Sequence, residues 1–167
     1  MNSDNALTDI LQASLRKAEA KDCRFIWELR NEEGVRKSSF NSAPIPYEEH
    51  EKWYSSILGS EDTQMFVVLD KDRKEIGQIR FDVGDDGDAE INISIAAIYR
   101  NRGYGSTAIR LGCKYVLEDA GIKRIVAHVK IENQASMTAF SRAGFTNEGP
   151  TEFKGQKANQ MVYYRVL

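Results

Sequence analysis

Residues 91–121 read INISIAAIYRNRGYGSTAIRLGCKYVLEDAG, and the fold turns on how this stretch is read. An alternating apolar run gives way, at Gly103 and Gly105, to apolar residues at helical spacing, so the order is strand, glycine turn, helix. The glycines remove Cβ atoms where the chain turns sharply and let backbone N–H groups approach an oxyanion. The amides from Gly105 to Thr107 open the helix at the positive end of its dipole, a position that favours a diphosphate. Arg100 and Arg102 add charge at the mouth. Neither common nucleotide loop fits: no lysine follows Gly105, and Ala108 stands where a dinucleotide fingerprint needs its third glycine.

Outward from this stretch, SLRKAEA (14–20) alternates and reads as a first strand. Asp22 stands where it can cap a helix through CRFIWELRN (23–31), in which Phe25, Ile26 and Leu29 recur at helical spacing. EGVRKSSF (33–40) reads as a second, short helix. In NSAPIPYEEHEKWYSSILG (41–59), Pro46 marks a helix start, acids fill the first turn, and Gly59 is the stop. The period then changes. TQMFVVLD (63–70), EIGQIRFDV (75–83) and AEINISIAAI (89–98) are strand-like runs separated by KDRK and GDDGD, both suited to hairpins. A helix over 105–120 follows, then RIVAHVKI (124–131) as a β-branched strand and a helix over NQASMTAFSRAG (133–144). Two strands, in NEGPTEFKGQ (147–156) and QMVYYRVL (160–167), close the chain.

A chain of 167 residues fits a single domain, expected over 1–167, with residues 1–10 carrying no pattern and read as a frayed lead-in. Net charge is -2 and the 29% of charged residues are mixed in sign, so there is no chain-wide basic field for nucleic acid or anionic lipid. Any anionic ligand must be caught locally. Cys23 and Cys113 lie far apart without Cys or His at metal-ligand spacing, which reads as two plain buried thiols, no metal and no structural disulfide. No apolar run approaches the roughly 20 residues of a membrane span and the N-terminus is polar, so a cytoplasmic protein is expected.

RNRGYG (100–105) matches the Arg/Gln-x-x-Gly-x-Gly/Ala signature of the GNAT (Gcn5-related) N-acetyltransferases. Asn133, Ser136, Phe140 and Gly144-Phe145 resemble that family's second acetyl-CoA segment, and the element order is similar to the GNAT order. The resemblance implies an α+β fold, a mostly antiparallel mixed sheet of six to seven strands flanked by about four helices. It implies acetyl-CoA as co-substrate, with the backbone of Ile93, Ser94 and Ile95 along the pantetheine arm and the amides of Arg102, Gly103, Tyr104, Gly105, Ser106 and Thr107 around the diphosphate. Arg100, Asn133, Ser136 and Phe140 would complete that site. Edge-strand homodimers are common in the superfamily, so a homodimer is a further expectation by resemblance.

In this family an amine attacks the thioester directly, so a base must first take a proton from the ammonium. Glu90 matches the position of a frequent catalytic glutamate, with His50 and His128 as alternatives; His128, inside an apolar strand, reads rather as a packed side chain. Where many relatives place a tyrosine that protonates the leaving thiolate, this chain has Phe140, leaving Ser136, Tyr54 or solvent for that role.

The segment 27–54 resembles the acetyltransferases of UDP-4-amino-4,6-dideoxy sugars in pseudaminic acid-type pathways, through Arg30, Asn31, Arg36, Asn41 and His50. Arginine forks and aromatic faces suit a nucleotide, and Arg30, Arg36, Phe40 and Trp53 supply both. A small-molecule amine, the 4-amino group of a nucleotide-linked amino sugar, is the expected acceptor. Protein N-termini, ribosomal proteins and polyamines are the other acceptors to weigh, and a module that binds acetyl-CoA without turnover is the reading outside enzymes.

Overall fold

The computed structural model describes residues 12–166; the lead-in expected over 1–10 lies outside the described residues. Seven strands form one sheet in the order β1-β2-β3-β4-β5-β7-β6. They are β1 (Ser14–Lys17), β2 (Thr63–Leu69), β3 (Glu75–Val83), β4 (Asp88–Ile95), β5 (Arg124–Lys130), β6 (Thr146–Phe153) and β7 (Gln156–Tyr164). Every neighbouring pair is antiparallel except β4 and β5. The α-helices among the described residues are α1 (Cys23–Asn31), α2 (Glu33–Ser38), α3 (Tyr47–Leu58), α4 (Tyr104–Val116) and α5 (Gln134–Arg142).

The period-2 alternation of β2 is spent on both faces of the sheet. Phe66 and Val68 join Ile79 and Phe81 of β3, Ile109 and Cys113 of α4 and Phe140 of α5 in one core. Met65, Val67 and Leu69 point the other way, onto Ile26 of α1 and Tyr54 of α3. On that second face, β3 and β4 carry Gln78, Arg80, Glu90, Asn92 and Ser94 where β2 is apolar. That change from apolar to polar on one sheet face is what leaves room for a site.

Several local expectations shift. Asp22 makes no side-chain cap on α1. Its carboxylate instead accepts from the Glu19 amide at 2.8 Å and from both Arg16 guanidinium arms at 2.7 Å, closing the 3-10 turn Ala20–Asp22 that cuts the first strand short. Helix α4 stops at Val116 rather than 120, and the last strand begins at Gln156, the left-handed Lys154 and Gly155 forming the turn before it. Cys113 is buried, whereas Cys23 is only half-buried.

Candidate active site

β4 and β5 pair only over Asp88–Glu90 and Arg124–Val126, after which they diverge. Arg124 clamps the closed end of this fork, donating from Nε and Nη2 to the two oxygens of Asp88 at 2.8 Å each. Those hydrogen bonds hold the Asp88 carboxyl below its usual range. From Ile91 onward β4 has no paired strand on its β5 side, and Ile93, Ser94 and Ile95 line the cleft of about 910 Å³ that opens there.

The glycine loop forms one end of the cleft. Gly103, with φ of 87°, takes the left-handed conformation that a Cβ disfavours and stands as the N-cap of α4. The Thr107 amide donates to its carbonyl at 3.1 Å. The expected cradle loses Thr107, whose amide the helix itself has taken, and the amides of residues 103–106 open the helix without an intrahelical acceptor. A Cβ built on Gly105 would meet only Ala139 Cβ, at 3.7 Å, so this face is open to a bulky anion.

Of the residues expected at the coenzyme, Gly103, Gly105, Ser106, Arg100, Asn133, Ser136 and Phe140 line the cleft, whereas Arg102, Tyr104 and Thr107 do not. Arg102 and Tyr104 lean on Tyr99 at 5.7 Å and 6.1 Å. Arg100 donates through Nε to the Ile95 carbonyl at 3.0 Å, fixing the strand end as well as charging the mouth. Asn133 caps α5, its Oδ1 accepting from the Ser136 amide at 3.1 Å.

The other end is built on α1, α3 and the polar faces of β3 and β4. The guanidinium carbons of Arg30 and Arg80 lie 4.1 Å and 5.3 Å from the centroid of the Trp53 indole. Burial, then the neighbouring charge of Arg80, push the Arg30 guanidinium down to about 10, with Glu49 pulling upward. It stays charged at neutral pH and is poorly hydrated, a condition an incoming anion relieves. Beside it the buried Gln78 amide donates to Asn92 Oδ1 at 2.8 Å and to Ser94 Oγ at 3.3 Å, while its Oε1 has no partner. Phe40, Phe153 and His128 form an aromatic wall, with Phe40 edge-on to Phe153 and the His128 ring parallel to it at 4.0 Å. Glu90 lies at the fork.

Three acceptor-side expectations change place. His50 is 0% exposed and does not line the cleft. Its Nε2 donates to the Cys23 carbonyl at 2.9 Å and its Nδ1 accepts from Arg30 at 3.1 Å, which leaves no lone pair for a substrate proton. It holds Arg30 from behind. Asn31 accepts from the Ile45 amide at 2.7 Å, and Arg36 donates to the Asn31 and Ser42 carbonyls. These two pin the segment 39–46, whose Phe40 and Asn41 do line the cleft. Tyr54 is buried and donates to the Glu19 carbonyl, so it is no candidate for protonating a thiolate. Gln78, Arg80, Asn92 and Phe153 went unmarked in the sequence; for the first three the signal was polar residues alternating within strands otherwise rich in isoleucine, and Phe153 carried none.

The forked parallel pair, with a glycine turn and helix after its first strand, is the arrangement that the acetyltransferase resemblance implies for coenzyme A. The chain matches the family model described as Acetyltransferase (GNAT) domain over residues 13–146 and belongs to that family. It is 27% identical over 140 residues, 83% of this chain and 81% of the relative, to the spermidine N(1)-acetyltransferase of Vibrio cholerae. The structure of a spermidine N-acetyltransferase from Vibrio cholerae in complex with CoA and spermine superposes with a TM-score of 0.81 at 25% identity, over 92% of this chain and 95% of that one. The aminoglycoside acetyltransferase AAC(6')-Ib in complex with coenzyme A and kanamycin is similar in fold, with a TM-score of 0.81 at 19% identity, over 92% and 95%. The chain is an acetyl-CoA-dependent N-acetyltransferase; neither spermidine nor aminoglycoside relatives speak for a nucleotide sugar.

Proposed function

We propose that this enzyme acetylates the amine of an anionic small molecule, best represented by the 4-amino group of a nucleotide-linked amino sugar. One observation carries the reading: among the residues lining the cleft stand Arg30, Arg80, Arg100, Arg142 and Lys154, against the single carboxylate of Glu90. Arg100 and Arg142 lie toward the glycine loop and α5 and suit the coenzyme. Arg30 and Lys154 remain at the acceptor end, with Arg80, whose Nε donates to Asp82 at 3.1 Å, beside the aromatic faces of Trp53, Phe40 and Phe153. A polycation such as spermidine would enter a field of its own sign there, and like charges brought together in a partly desolvated cleft are strongly unfavourable.

Acetyl-CoA supplies a thioester whose carbonyl carbon accepts an amine. The edge of Ile93–Ile95 that faces away from β3 holds the peptide-like arm in the manner of an added strand, and the amides that open α4 hold the diphosphate together with Arg100. Glu90, at the point where β4 and β5 part, is the carboxylate that assists removal of the ammonium proton. Phe140 has no proton to give, so the sulfur departs as thiolate, which a low thiol pKa permits, and then takes a proton from the reacting nitrogen or from solvent. The test is release of free CoA with a UDP-4-amino-4,6-dideoxy sugar, spermidine, kanamycin and peptides bearing a free N-terminus. Turnover confined to the nucleotide sugar is expected; preference for spermidine or a peptide overturns the acceptor assignment.

A further inference from the structure

Glu90 and His128 face each other at the fork, on the same side of the sheet. Glu90 is the last residue of β4 paired with β5, opposite Val126, and His128 is two residues further along β5. Its Nδ1 is buried without a hydrogen-bond partner and lies 3.9 Å from Glu90 Oε1. Yet the side chain is 17% exposed and the ring lines the cleft, so it meets the cleft by its other edge. A buried ring nitrogen with no partner is costly, and a packed histidine normally satisfies both nitrogens, as His50 does in this same protein.

Resting on the acetyl-transfer reading above, we propose that His128 is the proton acceptor of the reaction: Nε2 takes the ammonium proton while Glu90 receives Nδ1–H and fixes the tautomer. Glu90 is 46% exposed and needs to move only about 1 Å to reach hydrogen-bond distance. Stacking on Phe153 at 4.0 Å, with planes 7° apart, restrains the ring itself. Burial lowers the His128 pKa, Glu90 raises it, and Lys154 lowers it again, so the imidazole is neutral and carries a free lone pair at pH 7. Besides those two charges, the ring is faced by Phe153 of β6, while Gln160 of β7 is its strand partner. Lys130, further along β5, donates to the Lys37 carbonyl.

The step balances as follows. The ammonium loses one proton to Nε2, giving imidazolium and neutral amine. The amine nitrogen bonds to the thioester carbon, the C–S bond breaks, and the second nitrogen proton goes with the departing thiolate to give free CoA. Imidazolium then returns its proton to solvent. The geometry is that of a carboxylate-oriented base, with Glu90 acting as a positioning residue.

The chain has two histidines, so ring nitrogen NMR on ¹⁵N-labelled protein assigns them with a single His128→Gln variant. The neutral Nδ1–H form is expected for His128; Glu90→Gln should lower its pKa and move the proton toward Nε2. An Nε2–H tautomer in the native protein, or a ring indifferent to Glu90→Gln, overturns the proposal whatever the activity. With acetyl-CoA and the UDP-4-amino sugar, His128→Gln should lower kcat at pH 7 by about 100-fold or more and recover toward high pH, consistent with the usual size of general-base catalysis. Acetyl-CoA affinity should stay within about twofold, since the ring is not among the groups assigned to the diphosphate or the pantetheine arm. A His128→Gln enzyme with native kcat also overturns it. Failure of every acceptor to turn over counts against the acceptor assignment alone, because the ring tautomer still decides for the pair.

Discussion

Arg30 and His50 show how one side chain can serve the site without touching a substrate. A carbonyl only accepts and a guanidinium only donates, so the Cys23 oxygen and Arg30 force His50 into the neutral Nε2–H form. Burial first, then Arg30, push its pKa down, with the Cys23 carbonyl pulling up. A histidine whose folded pKa is depressed contributes its full stability above the unfolded value of about 6.5, and that stability is lost as pH falls toward the folded pKa. Thermal melts should therefore show stability dropping as pH falls below about 6.5, and His50→Gln should flatten that slope while lowering stability at pH 7. His128 has the same sign, so some slope remains; an unaltered slope would remove His50 as its source. For Arg30 the expected outcome is kinetic. Removing one charged hydrogen-bond donor to an anion costs about 1.5–3 kcal/mol, so Arg30→Gln should raise KM for the UDP-4-amino sugar by about 10-fold or more with a smaller change in kcat. Equal KM values would place the anion elsewhere.

Two glycines on α4 make opposite predictions because they face different neighbours. A Cβ on Gly112 would lie 2.9 Å from Ile79 Cδ1 and from Phe81 Cζ, both fully buried, so the helix rests directly on the sheet there. Overpacking of this kind costs about 1–3 kcal/mol, which outweighs the roughly 1 kcal/mol that alanine gains over glycine in a helix. Gly112→Ala should lower the melting temperature, read by calorimetry. Gly105→Ala, with only Ala139 Cβ at 3.7 Å, should leave the fold at least as stable. Gly105→Glu instead places bulk and negative charge at the diphosphate cradle. Native protein gains about 2.7 kcal/mol of stability at a hundredfold excess of ligand over Kd, and the Gly105→Glu variant should show no such gain with acetyl-CoA. Helix α4 was legible in the sequence as a glycine turn followed by a 3.6-residue period, but the different duties of its glycines were not. A glycine that opens a cradle and a glycine that admits a sheet differ only in what lies opposite, which is tertiary information.

At the scale of the molecule, the order of strands and helices followed from period changes and turn residues, because each element, the short β1 included, carries its own pattern. The coenzyme end was legible for the same reason: its residues sit close together in 91–107 and 133–145. The acceptor end was legible only in part: Arg30, Phe40, Asn41, Trp53, Glu90 and His128 could be named and line the cleft, but Arg80 and Phe153 could not, since the side chains there come from separate elements and long-range proximity leaves no trace in local spacing. Asn31, Arg36 and His50 were read as acceptor contacts and instead shape the wall behind them. The two ends meet at the fork, where the halves of the sheet are joined by pairing of Asp88–Glu90 with Arg124–Val126 and by the Asp88–Arg124 clamp. Beyond Glu90 the β5-facing groups of β4 have no strand to protect them, so hydrogen exchange there is governed by the ligand. Saturating CoA should slow exchange in a peptide covering residues 91–95 by about tenfold or more, as added-strand hydrogen bonds form, and leave the β2–β3 turn at residues 70–74 unchanged. Slowing at both places would indicate general tightening, and slowing at neither would mean that the coenzyme arm does not lie along β4.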